Sequence, residues 1–200
     1  MPRRAGTYSK LKLDVPNYRE LRADAERAVK DELGTLARPD DRVERAAEII
    51  RQADAEIALH LPERDQMVAS LWFHEHVLGL SKVMGVYPTA YREVLSKALY
   101  DDANAPLPSD DVSLEDLTRI AQEQGVPRVE NAAEKLPAVA RVVAEARTRR
   151  TTAVPFMQDA ALALSEEPYG WEGERIAEHA GVAVKLIWQH WAAARKRRGD

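Results

Sequence analysis

The chain has no cysteine, which excludes a disulfide framework, a thiolate nucleophile and a cysteine-ligated zinc site. Glycine is scarce, with 9 in 200 residues, and no glycine-rich phosphate loop, nucleophile elbow or carboxylate pair with a histidine partner is found. No enzyme and no cofactor are expected on those grounds. About 18 consecutive apolar residues, the length that spans a bilayer, occur nowhere. The basic residues Arg3, Arg4, Lys10 and Lys12 lead into no apolar run of signal-peptide length. A cytoplasmic protein without membrane contact is the expectation. Period-two alternation is rare as well, so no sheet is expected.

What remains is rich in alanine, glutamate, arginine and leucine, a composition that predicts an all-α, multi-helix fold. The formal net charge of -4 argues against a protein that coats nucleic acid nonspecifically. Charge is nevertheless segregated. Residues 1–12 and the run Arg195, Lys196, Arg197 and Arg198 are basic, whereas residues 101–135 are acidic.

The basic arm (1–15) leads to a predicted helix at about 16–33. Asp40 or Asp41 caps a second, running to about Leu59, with Val43, Ala46, Ala47, Ile50, Ala53 and Ile57 on one face. Leu61 and Pro62 start a third through His74. Residues 101–112, with two prolines and four aspartates, read as an acidic linker between helical domains at 16–100 and 113–200. Ser113 with Asp116 three residues on is a variant of the capping box. Helices then continue to about Arg150 with breaks near Pro127 and Pro137. A last unit starts near Pro155, with a turn at residues 168–170.

Three stretches close a helix-like run on Gly-Val: LSKVMGV (80–86), IAQEQGV (120–126) and IAEHAGV (176–182). Glycine there suits a helix stop that needs a positive backbone angle. A second helix coming at once after the turn makes this the pattern of a helix-turn-helix, which points to double-stranded DNA. After the first turn, Pro88 pre-sets a helical turn, and Tyr91, Val94, Leu95 and Leu99 form a buried side. Thr89, Ala90, Arg92, Glu93, Ser96 and Lys97 are left outward, toward base edges and phosphates. The segments LPERDQMVASLWF (61–73) and LSKVMGVYPTAYREVLSKAL (80–99) together resemble region 4 of bacterial sigma factors and related response-regulator domains. That resemblance implies a supporting helix followed by a recognition helix, and RNA polymerase as an alternative partner. A complete sigma factor is rejected, because no promoter-melting region precedes this unit.

The third stretch, IAEHAGVAVKLIWQHW (176–191), resembles the DNA-binding helix pair of tetracycline-repressor-type regulators. The match implies that Lys185, Trp188 and His190, in the Trp188-Gln189-His190-Trp191 ending, face phosphate or groove while Ile187 and Trp191 pack. Arg195 to Arg198 would add backbone contacts that position without reading sequence. The middle stretch places Asn131 and Glu134 where a second helix should be apolar, and reads as a structural turn. His74 and His76 lie two apart, point in different directions on a helix and have no further ligand cluster, so surface or interface histidines and no metal are expected.

The sequence therefore predicts a DNA-binding transcriptional regulator with two helix-turn-helix units. Two modest modules on one chain gain through effective concentration, and a homodimer would span paired half-sites. The competing reading is a protein-interaction module, binding RNA polymerase for example, that reads no bases.

Overall fold

The computed structural model describes residues 4–199 and is all-helical. Among the described residues there are eight helices and no strand: α1 (Tyr18–Thr35), α2 (Pro39–Phe73), α3 (Leu80–Met84), α4 (Pro88–Tyr100), α5 (Leu114–Glu123), α6 (Ala132–Ser165), α7 (Gly173–Ala180) and α8 (Val184–Arg198). The basic residue Arg3 of the predicted arm lies outside the described residues.

Two long helices replace the shorter ones that the prolines predict. Pro62 lies inside α2, which runs unbroken where a stop near Leu59 and a restart at Leu61 are predicted. A proline inside a helix removes the donor for the carbonyl four residues back. Here that residue is Ala58, which is exposed like Pro62 itself, so water can take the donor's place. Pro137 and Pro155 are likewise absorbed into α6, and Thr151, four before Pro155, is exposed. A helix tolerates proline more readily where the freed carbonyl is wet.

The chain forms two compact units, and neither is a continuous segment. The first joins the N-terminal residues through Tyr18 to Ala58–Ala144; the second joins Arg19–Ile57 to the residues from Glu145 onward. The divisions thus fall at the start of α1 and inside α2 and α6, not at the acidic segment. Residues 101–112 lack helix but belong to the first unit. The buried guanidinium of Arg4 donates to the carbonyls of Pro108 (2.6 Å), Ser109 and Val112 (3.2 Å), tying the segment down. Arg4 is consequently no part of a free basic arm, although Lys10 and Lys12 are exposed.

The core of the first unit is built from Met67, Leu71 and Phe73 of α2, Leu80 and Met84 of α3, Leu95 of α4, Leu117 of α5 and Leu136 of α6. Full burial of each such side chain contributes roughly 1.5–3 kcal/mol. His74, expected at the surface or an interface, is buried within this unit, and its Nε2–H donates to the Val126 carbonyl at 3.0 Å. Ser113 caps α5 as its spacing predicts: its Oγ accepts from the Asp116 N–H at 3.1 Å and donates to the Asp116 carboxylate at 2.8 Å. Such a cap is worth about 1 kcal/mol.

The second unit packs small residues, with Ala46 and Ala47 of α2, Ala153, Ala160 and Ala161 of α6 and Ala177 and Ala180 of α7 around Leu33, Met157, Ile176 and Ile187. Ion pairs run along its outside, Arg150 to Asp54 at 2.6 Å and Arg149 to Glu56. Among the described residues no helix is long and apolar enough to cross a membrane.

Candidate nucleic-acid interface

All three Gly-Val stretches adopt one backbone device. Gly85, Gly125 and Gly181 take φ of 64°, 76° and 65°. In each, the valine N–H reaches back five residues: Val86 to Ser81 (3.1 Å), Val126 to Ala121 (2.9 Å) and Val182 to Ala177 (2.9 Å). The glycine N–H reaches back three, to Lys82, Gln122 and Glu178. This pair of bonds is the Schellman motif, which satisfies the last carbonyls of a helix. The three stretches differ in how the chain continues after the turn. Helix α4 starts at Pro88 and α8 at Val184, whereas residues 127–131 are non-helical before α6. The middle stretch therefore ends one helix without starting another at once.

Each of the two tight turns is pinned by a distant residue of its own unit. Tyr18 donates its hydroxyl to the Val83 carbonyl and lays its ring against Gly85, where an added Cβ would come within 2.7 Å of the ring. Arg51 donates from Nη1 to the Ala180 carbonyl at 2.7 Å, and a Cβ on Gly181 would lie 3.2 Å from that nitrogen. No spacing rule in the sequence links either residue to its turn.

On α4, Thr89, Arg92, Glu93 and Lys97 are exposed and Ala90 is half-buried. Ser96 departs from expectation: it is 3% exposed, so the outward face is open at the start of the helix and closes at that position. Leu95 and Leu99 are buried as predicted, and Tyr91 and Val94 are half-buried against the same core. Burial pushes the Tyr91 phenol well above its ordinary pKa and keeps it neutral. Among the described residues neither Arg92 nor Lys97 has a carboxylate partner.

On α8, Lys185, Gln189 and Trp188 are exposed, and Trp188 lies over Gly173, where a Cβ would meet its indole nitrogen at 2.9 Å. Ile187 is fully buried and Trp191 donates its indole N–H to the Ala161 carbonyl at 3.0 Å, both in the predicted packing role. His190 is 7% exposed and faces no groove, a second correction to the outward set. Burial, with the charge of Arg197 second, lowers its pKa and keeps the ring neutral. In the basic tail, Arg197 pairs with Asp159 at 2.7 Å and Arg198 with Glu166 at 3.0 Å. Only Arg195 and Lys196 of that run lack a carboxylate partner among the described residues.

Both α4 and α8 begin without a side-chain cap, behind Tyr87 and Ala183. No side chain takes their first free N–H groups, which in α4 begin at Thr89 because Pro88 carries none. Among the described residues no group of three or more histidines and carboxylates gathers as for a metal ion. Comparison with protein-family models, with curated proteins and with solved structures finds no significant match to this chain.

Proposed function

We propose that this protein binds double-stranded DNA in a sequence-specific manner and acts as a transcriptional regulator, with α4 as the principal reading helix. The observation that carries this reading is the open first half of α4. Thr89, Arg92 and Glu93 are exposed there, with Lys97 further along, and neither cation has a carboxylate partner among the described residues. A recognition helix meets base edges chiefly with its N-terminal residues, so closure of the face at Ser96 leaves the part that such docking uses. Free arginine suits guanine edges or phosphate, and free lysine suits phosphate. The uncapped N-terminus behind Tyr87 adds a phosphate position. Helix α8 is the auxiliary element, offering Lys185, Gln189 and Trp188 with Arg195 and Lys196.

A second reading has its own support. Tyr87 is 82% exposed at the start of α4 and Leu78 is exposed ahead of α3, apolar surface that suits a protein partner such as RNA polymerase. Selection of genomic DNA fragments by the purified full-length protein at moderate salt separates the two. The DNA reading expects a few enriched sites sharing a motif, with affinity falling steeply as salt rises. Folded protein that enriches no sequence replaces that reading with the protein-binding one.

A further inference from the structure

The first unit contains a cavity of about 430 Å³, with the N-terminal segment, the end of α2, the start of α4 and the 101–112 segment contributing to its walls. That volume falls in the range of small-molecule sites and fits one or two fused rings with a substituent. Three aromatic rings meet there. Tyr8 and Trp72 lie with centroids 6.4 Å apart at 35°, and Tyr91 stands edge-on to Trp72 at 6.5 Å and 80°. Such a corner offers a planar guest both a face and an edge.

Charge narrows the class. Arg4 lines the cavity but is already engaged: its guanidinium donates to three carbonyls and lies 3.8 Å from Asp110, another lining residue. Arg92 also lines the cavity and has no carboxylate partner among the described residues. One uncompensated positive charge beside an aromatic corner favours a monoanion. A cation would be repelled, and a phosphate dianion would call for a second free cation, which Arg4 cannot be. We propose that the cavity is a binding site for a small planar aromatic carboxylate, its ring against Trp72 and Tyr91 and its carboxylate on Arg92. The neutral Tyr91 phenol adds a hydrogen-bond donor.

The test is calorimetric titration of the full chain with 1-naphthoate and with its neutral counterpart 1-naphthylmethanol. The expected result is one-to-one naphthoate binding at least tenfold tighter than the alcohol. Arg92→Gln, at an exposed position, should bring naphthoate to the alcohol's affinity and leave the alcohol unchanged. Leu107→Trp, filling the cavity from the 101–112 segment, should abolish both. No saturable binding to the wild-type chain, or equal naphthoate affinity in wild type and Arg92→Gln, overturns the proposal. These titrations contain no DNA, so their outcome is independent of the DNA reading.

Discussion

Helices α3–α4 and α7–α8 share a Schellman turn at glycine, an uncapped second helix and a distant residue locking the turn, yet they leave different chemistry exposed. On α4 the arginine and lysine of the outward face are free of carboxylate partners among the described residues. On α8 the histidine of the predicted face is buried, and two of the four tail cations are held by Asp159 and Glu166. The same backbone device thus serves two ends. One pair presents its second helix, and the other binds much of its second helix into its own unit. The middle stretch extends the lesson, because Gly125 and Val126 make the same turn and no helix starts directly after it. A Gly-Val repeat reports helix stops; the face that the next helix exposes has to be read residue by residue.

The largest expected difference lies in the turns. Gly85→Ala must place Cβ at positive φ and also within 2.7 Å of the Tyr18 ring, which together should cost about 3 kcal/mol. Gly181→Ala meets only the end of a flexible arginine at 3.2 Å, so the backbone strain of roughly 1 kcal/mol should dominate. Urea unfolding of the two variants measures this, and equal losses would break the distinction between a turn locked by an aromatic ring and one locked by a guanidinium.

Histidine titration should give a smaller effect, with one contribution in each unit. Burial is the main cause lowering His76 in the first unit and His190 in the second, both below the ordinary 6.5. A histidine whose folded pKa is lowered stabilises fully above its unfolded pKa and loses that contribution as pH falls through the folded value. Urea midpoints should therefore fall between about pH 7.5 and 5, and His76→Gln and His190→Gln should each flatten part of the slope. A slope unchanged in both variants would mean that neither ring is held neutral by folding.

The tail should respond least. Its ion pairs are partly exposed, and exposed pairs are worth roughly 0–1 kcal/mol. Arg197→Ala and Arg198→Ala should each lower stability by no more than about 1 kcal/mol. DNA affinity should change less than twofold, since both cations are occupied. A large loss of DNA affinity would show that those pairs open to meet phosphate.

Much of the helical pattern was legible in the sequence, because amphipathic spacing and the Ser113 cap act locally. The long helices were not: Pro62 and Pro155 follow exposed residues four positions earlier, which local spacing does not reveal, and Pro137 is accommodated in α6 although Ala133 is half-buried. The discontinuous units were hidden for a related reason: they arise from contacts between segments far apart in the chain. At the candidate site, periodicity correctly placed Leu95 and Leu99 inside, and the family resemblance correctly placed Ile187. Periodicity misplaced Ser96 and the resemblance misplaced His190; both side chains are polar, which suggests solvent, yet both are buried. Tyr18, Arg51 and the Tyr8–Trp72–Tyr91 corner carry no spacing signal that would have revealed them.

In the function proposed above, α4 reads DNA and α8 assists. The direct measurement is the affinity of Arg92→Ala/Lys97→Ala and of Lys185→Ala/Gln189→Ala for a DNA fragment selected by the wild-type protein, with helicity checked by circular dichroism. The expected result is an affinity loss of at least about tenfold, or 1.4 kcal/mol, for the α4 pair, and a clearly smaller loss for the α8 pair. Unchanged affinity in a fully helical Arg92→Ala/Lys97→Ala protein would contradict it.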